Sequence, residues 1–412
     1  MRSATLSVLI GLAVFTGWLA VAGPVEVTFW HPYGATSWTG EYLQRKAEEF
    51  NATHPSIHVT LQSFSSYLEI LQKIQQAAVV KQLPSIACIG YGLEEYLINS
   101  GLVTPLEGLL APAELTDFFP SLLAVTSREG KVYGIPFAFS VPLIFYHSDL
   151  FEVAGMDPNS PPRNWQEFLQ MSKVIAKKLG IFGSTMAFDD PWTFETTVRS
   201  SCGSLISSDG SICALDSEIA AEILAALAEG TNEGWFLFNL DFFQTLQTFL
   251  GKGVAMFGTS SYGILYYHEN VPEVKAAAWP VKAGCEPQLP AGGNALFVFG
   301  NNDGEREAAA KFVVFLTSQE AIIEWAENSG YLPTRQSALA GMAEFIHSIP
   351  NYETAVRQIN YIVPPTRFPA RHILIINDLI MDTLEKVLVG KVAPVSALAE
   401  LCTRINQLLG TK

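Results

Sequence analysis

The chain has 412 residues, more than one compact core usually encloses, and 49% are hydrophobic, so a folded protein of two lobes is expected rather than a disordered chain. Its formal charge is -15 and no window is rich in Lys or Arg, so it lacks the basic footprint of a nucleic-acid binder. The five cysteines, Cys88, Cys202, Cys213, Cys285 and Cys402, form no C-x-x-C pair, which leaves zinc and thioredoxin-type readings without support.

Residues 1–22 read as a secretory signal: Arg2 is the only charge, an apolar region follows, and Ala20-Val21-Ala22 offers an A-x-A cleavage site. An uncleaved membrane anchor is the competing reading of the same stretch. No later window has 18 uninterrupted apolar residues.

Residues 25–30 alternate into a first strand that runs into Trp30-His31-Pro32-Tyr33. Rings at the carboxyl end of a first strand suit the ligand crevice of an open α/β sheet, although a lone His is more often structural. A helix is predicted over 39–51, a strand through Ile57, Val59 and Leu61, a helix over 67–80, and a buried strand over 85–90 after Pro84. That alternation describes a parallel α/β lobe. The break at Gly134-Ile135-Pro136, the short Phe137-Ala138-Phe139-Ser140 segment and a buried strand over 141–146 read as the chain passing between lobes, with Ser140 at the crossing. An ordinary turn between two strands would look the same.

Beyond the crossing, Pro161 to Phe168 open a helix that reaches residue 179. The stretch 188–195 is aromatic and acidic, with Asp189, Asp190, Trp192 and Glu195; a helix start opening on Asp190-Pro191 explains it equally well. Helices are predicted over 217–229 and 242–250. A buried strand over 253–258 then runs into the hydroxyls of Thr259, Ser260, Ser261 and Tyr262, which can bond a ligand or cap a helix. The return crossing begins at 276–280. Gly292-Gly293 lets backbone approach a ligand closely, or simply turns the chain. Two helices over 305–317 and 319–328 lead to Tyr331-Leu332-Pro333, and helices over 373–388 and 393–409 close the chain. Cys202 and Cys213 flank a loop with an Asp-Gly turn, and a disulfide closing it is expected in an oxidising compartment.

Walker A, G-x-G-x-x-G, H-E-x-x-H and G-x-S-x-G motifs are absent, so the case for catalysis is thin. It rests on Asp189 and Glu195 as the carboxylates of a secreted carbohydrate hydrolase.

The segments VTFWHPYG, IPFAFSVPLIFYHSDLFEVAGMDP, PPRNWQEF, GVAMFGTSS, AGGNALFVF and AAKFVVFLTSQEAIIEWAENSGYLPTRQSAL, in this order and spacing, resemble the extracellular solute-binding proteins of ABC importers, in the carbohydrate and glycerol-3-phosphate branch. The resemblance implies an α/β fold of two lobes, each a mostly parallel sheet flanked by helices, with a hinge between them. Lobe 1 would comprise 23–139 and 281–336, lobe 2 140–280 and 337–412. It implies ligand contacts at Tyr67, Ser140, Ser260, Gly293 and Tyr331. Two positions depart: Tyr91 stands where the glycerol-3-phosphate branch has Glu, and Asn377 where it has the Arg that pairs the phosphate. Arg367 or Arg371 could replace that Arg. With Trp30, His31 and Trp192 from the residue reading, these form the expected site. The expected ligand is glycerol-3-phosphate, a glycerophosphodiester or a small sugar. The expected partners are ABC permease subunits with a cytoplasmic ATPase; no enzyme activity, cofactor, metal or nucleic acid is expected, and the protein is read as a periplasmic monomer.

Overall fold

A computed structural model describes residues 23–369 and 372–410. The leader reading of 1–22 and Arg371 lie outside the described residues. Two five-stranded sheets organise the chain. The first contains β1 (Val25–His31), β2 (Ile57–Ser63), β3 (Ile86–Gly90), β6 (Gly134–Ser140) and β13 (Gly292–Val298), in the order β2-β1-β3-β13-β6. The second contains β7 (Pro142–His147), β8 (Phe182–Met186), β9 (Phe236–Leu237), β10 (Val254–Ser260) and β11 (Val274–Ala278), in the order β11-β7-β10-β8-β9. Two ribbons complete the strands: β4 (Ser127–Arg128) with β5 (Lys131–Val132), and β12 (Leu289–Pro290) with β14 (Ile362–Val363).

The first sheet grows from strand–helix–strand units whose helices start where the sequence supplies caps. Ser37 accepts from Gly40 N–H to open the helix Trp38–Thr53, and Ser66 accepts from Glu69 N–H to open Tyr67–Val79. Each sheet is mixed: the expected parallel pairs (β1 with β2 and β3; β8 with β9 and β10) are matched by antiparallel pairs on the strands nearest the crossing. The segment expected as a short connection, Phe137 to Ser140, is itself part of β6. Pro136 is tolerated there because β6 is an edge strand and its pairing with β13 shifts register at Asn294/Ala295.

Phe29, Ile86, Phe137, Leu296 and Phe312 form one core; Phe145, Phe168, Phe257, Ile376 and Leu398 form another. The two lobes touch through the helix Pro120–Thr126, whose Leu122 and Val125 join the second-lobe core beside Phe139 and Leu332. The chain crosses at Ser140–Pro142. It crosses back later than residue 281: Val281 bridges Asn164, Lys282 N–H donates to Ser200 O and Cys285 is bonded to Cys202, so the segment stays with the second lobe until Gly292. It leaves the first lobe after the helix Gln336–Gly341, whose neighbour Asp117 accepts from Ser337 N–H and Oγ–H.

The disulfides differ from the expected Cys202–Cys213 loop. Cys202 pairs with Cys285, and Cys213 with Cys402 on the helix Pro394–Leu409. The loop closes itself by hydrogen bonds (Ser207 N–H to Ile212 O, Ala214 N–H to Leu205 O), leaving both sulfurs for distant partners. Asn406 accepts from Cys213 N–H at 2.8 Å and docks that end of the loop on the C-terminal helix. Cys88 is free and buried. No helix among the described residues is long and apolar enough to cross a membrane.

Candidate functional site

The start of β13 is where both lobes converge. Gly292 pairs with Ser140 and Gly293 with Phe139 in the register of β6. At Gly292 a Cβ would collide with Ser140 Oγ and lie 2.9 Å from the Trp192 ring, so this glycine admits a second-lobe indole onto a first-lobe strand. The indole N–H of Trp192 donates to Pro290 O at 3.1 Å and fixes that packing. Gly293 has φ +105°, which only glycine adopts freely, and a Cβ there would strike the Ala138 carbonyl. Its own carbonyl accepts from Tyr91 N–H at 3.1 Å.

Asn294 follows, fully buried, and its Nδ2 donates to the hydroxyls of Tyr33 and Tyr67, each at 2.7 Å. Its Oδ1 and the Tyr91 hydroxyl are buried without a hydrogen-bond partner among the described residues. Burial pushes the Tyr33, Tyr67 and Tyr91 phenols above their ordinary range, so all three are neutral hydroxyls. Tyr331 closes one side. Its ring stacks on Trp325 at 5.8 Å and lies 4.7 Å from the exposed Tyr262 of the second lobe. Its carbonyl accepts from Tyr352 O–H at 2.7 Å. Ser260 ends β10 opposite Pro142, and its Oγ accepts from Tyr262 N–H at 3.2 Å. Ser261 exchanges two bonds with Val141: its N–H donates to Val141 O at 2.8 Å and its Oγ accepts from Val141 N–H at 3.1 Å.

Of the expected site residues, Tyr67, Tyr91, Ser140, Trp192 and Gly293 thus meet around the start of β13, and Ser260 and Tyr331 are linked through Tyr262. Asn377 is half-buried on the helix Ile373–Leu388, one turn after Leu374, which packs against apolar clusters of both lobes. Trp30 lies elsewhere, and His31 lies behind Tyr33. The Trp30 ring packs on Phe64 at 5.1 Å and lines a surface hollow of about 420 Å³ with Gln62, Lys81 and Ser85. His31 is buried, its Nδ1 accepts from Tyr33 N–H at 3.3 Å, and burial lowers its pKa to about 4, so it is a neutral structural residue. Tyr33 and Tyr262 belong to stretches singled out in the sequence but not to the expected site, and Asn294 was missed. The signal for Asn294 was a carboxamide inside an otherwise apolar strand.

The electrostatics of the crossing are acidic. Asp189 and Asp190 precede Trp192, and Asp190 accepts from Trp192 N–H at 2.8 Å. Both side chains are exposed; partial desolvation raises both above the usual carboxylate range, and the Asp189 and Glu195 charges nearby add to the rise at Asp190. Across the crossing, Glu94 is buried and raised to about 7, chiefly by desolvation, against the pull of Arg128. Glu195 is a strut: its carboxylate accepts from Thr366 N–H at 2.7 Å, Thr366 Oγ–H at 2.8 Å and Arg199 at 2.9 Å. A carboxylate so occupied is a poor partner for Asp189 in glycosidic cleavage. Arg128 is held by Glu95 and by the Val125 and Ser127 carbonyls. Arg367 is exposed and donates to Ala124 O at 2.6 Å.

Comparison with known proteins agrees with this architecture. The sn-glycerol-3-phosphate-binding periplasmic protein UgpB of Brucella abortus (strain 2308) is 25% identical over 435 residues, covering 98% of each chain. UgpB from Mycobacterium tuberculosis, solved in complex with glycerophosphocholine, superposes with a TM-score of 0.83 at 21% identity, over 94% of this chain and 98% of that one. The cyclic alpha-maltosyl-1,6-maltose binding protein from Arthrobacter globiformis gives a TM-score of 0.82 at 23% identity, over 94% of this chain and 99% of that one. These two structures share the fold. The family model for bacterial extracellular solute-binding proteins runs through both lobes, over residues 46–354. A two-lobed chain with a polar, aromatic crossing and this end-to-end likeness belongs to the bacterial extracellular solute-binding protein family, whose work is to bind solute rather than to transform it.

Proposed function

We propose that the chain is the substrate-binding component of an ABC importer and that it takes a small neutral sugar or sugar alcohol at the start of β13. One observation carries the choice of solute: neutral hydroxyl and carboxamide groups of Tyr33, Tyr67, Tyr91 and Asn294 gather at the start of β13, and the Trp192 ring that packs there follows Asp189 and Asp190 in sequence. Such a lining exchanges hydrogen bonds with hydroxyls, offers Trp192 and Tyr331 as rings for sugar faces, and repels a phosphate. Asn377 in the place of a phosphate-pairing Arg fits the same reading. Contacts with both lobes would favour the closed form by the ligand's differential affinity for it, the hinge transition for which periplasmic binding proteins are the standard example. The closed monomer would then dock on permease subunits outside the cytoplasmic membrane, after removal of residues 1–22.

A second reading, glycerol-3-phosphate or a glycerophosphodiester, is favoured by the names of the relatives and by Arg367, whose guanidinium bonds a carbonyl and forms no ion pair among the described residues. A thermal-shift screen of glycerol-3-phosphate, glycerophosphocholine, maltose, trehalose and related sugars, followed by calorimetry on the hits, separates the two. A sugar alone as the hit supports the first reading. A phosphate ester alone, with affinity lost in Arg367→Ala, overturns it.

A further inference from the structure

The far end of the second lobe, away from the crossing, holds a group that the solute site does not use. β7 ends at His147, which is fully buried and pairs with Val274 at the start of β11. His147 Nε2 lies 2.7 Å from Phe249 O. A carbonyl only accepts, so Nε2 carries the proton and Nδ1 keeps its lone pair. Nδ1 is buried with no hydrogen-bond partner among the described residues, and so is Asp149 Oδ1. Ser148 fixes the neighbouring backbone: its N–H and Oγ–H donate to Glu273 O at 3.0 and 2.7 Å, which brings the Glu273 and Asp149 side chains together. Ligand atoms of His147, Asp149 and Glu273 all lie within 4.8 Å of one another.

Lys252 is the present neutralising charge, its Nζ 2.6 Å from Asp149 and 2.8 Å from Glu273. It reaches them from a left-handed turn residue (φ +59°), on a partly exposed side chain that can swing into solvent. One ammonium against two carboxylates leaves a net negative charge, and it leaves the imidazole lone pair unused.

We propose that His147 Nδ1, Asp149 and Glu273 form a site for a borderline divalent cation of the Zn²⁺ type, which enters by displacing the Lys252 ammonium. The donor set selects the class: one imidazole nitrogen and two carboxylates, with a fourth position for water, suits tetrahedral Zn²⁺, whereas Ca²⁺ and Mg²⁺ ask for oxygen alone. The Phe249 carbonyl behind Nε2–H is the outer partner that metal-binding histidines ordinarily have. The ion would tie the end of β7 to the start of β11 and release the Lys252 turn before β10.

Calorimetry with ZnCl₂ and with CaCl₂, with Co²⁺ absorption as a geometric readout, tests this on the full chain. Expected are one Zn²⁺ per chain, tetrahedral Co²⁺ bands, at least tenfold weaker binding in Glu273→Gln and Asp149→Asn, and tighter binding in Lys252→Met, which removes the competitor. The two carboxylate variants change part-exposed side chains, and circular dichroism verifies that they fold. Zn²⁺ binding unchanged in Glu273→Gln, Ca²⁺ bound as tightly as Zn²⁺, or no binding even in Lys252→Met would each overturn the proposal.

Discussion

Two adjacent glycines, Gly292 and Gly293, should fail in different ways when each is changed to Ala. Gly293 carries the backbone burden. Its φ of +105° disfavours any L side chain by about 1–2 kcal/mol. The added Cβ would also meet the Ala138 carbonyl of β6, backbone that can yield only by moving the strand, at about 1–3 kcal/mol more. Gly293→Ala should therefore lose about 2–5 kcal/mol of unfolding free energy in urea titration. Gly292 has no such backbone demand. Its Cβ would meet side-chain atoms, Ser140 Oγ and the Trp192 ring, with the Ser140 carbonyl oxygen farther off at 3.3 Å. Relief comes by turning Ser140 and pushing the indole off β13, so stability should fall by about 1 kcal/mol while solute affinity falls about tenfold or more. Calorimetry with the screened solute and urea titration on both variants decide the matter. Gly293→Ala at wild-type stability, or Gly292→Ala with full affinity, would refute the placement of the site at this strand.

Asn294→Ala removes the donor shared by Tyr33 and Tyr67 and should cost about 2–4 kcal/mol of stability, whereas Tyr67→Phe, which deletes one hydroxyl, should cost about 1 kcal/mol. If Asn294 aims the Tyr67 hydroxyl at solute, both variants weaken binding and the double variant is no worse than Asn294→Ala. Glu94 binds its proton more tightly folded, with a pKa of about 7, than unfolded, near 4.5. Its contribution is thus fully present below the lower value and is lost as pH rises to about 7, by about 3 kcal/mol. Urea titrations at pH 5 and pH 8 should show that loss, and Glu94→Gln should flatten it. Thiol titration of unreduced, denatured protein should find one thiol, Cys88, and reduction should lower stability by several kcal/mol, because the bridged residues lie 83 and 189 positions apart.

Much of this architecture is legible in local patterning. The helices expected over 39–51 and 67–80 fall within two residues of Trp38–Thr53 and Tyr67–Val79, alternation marks β1 and β2, and the glycines mark the approach of β13. What escaped depends on distant partners. Pro136 reads as a break, yet an edge position and a register shift let it lie within β6. The segment before Gly292 reads as first-lobe chain, yet Cys285 ties it to Cys202. Trp30 and His31 sit at the right end of the right strand, but alternation turns them to opposite faces: His31 goes into the core and Trp30 to a separate hollow. The His147, Asp149 and Glu273 group spans 126 positions of sequence, so only the fold brings it together.

Lobe closure on a solute is the claim from which the others follow, and small-angle X-ray scattering measures it directly. With the sugar identified by the thermal-shift screen at saturating concentration, the radius of gyration of the wild-type protein should fall, and that of Gly292→Ala should fall less. Superimposable profiles with and without a solute that calorimetry shows to be bound would contradict the hinge mechanism.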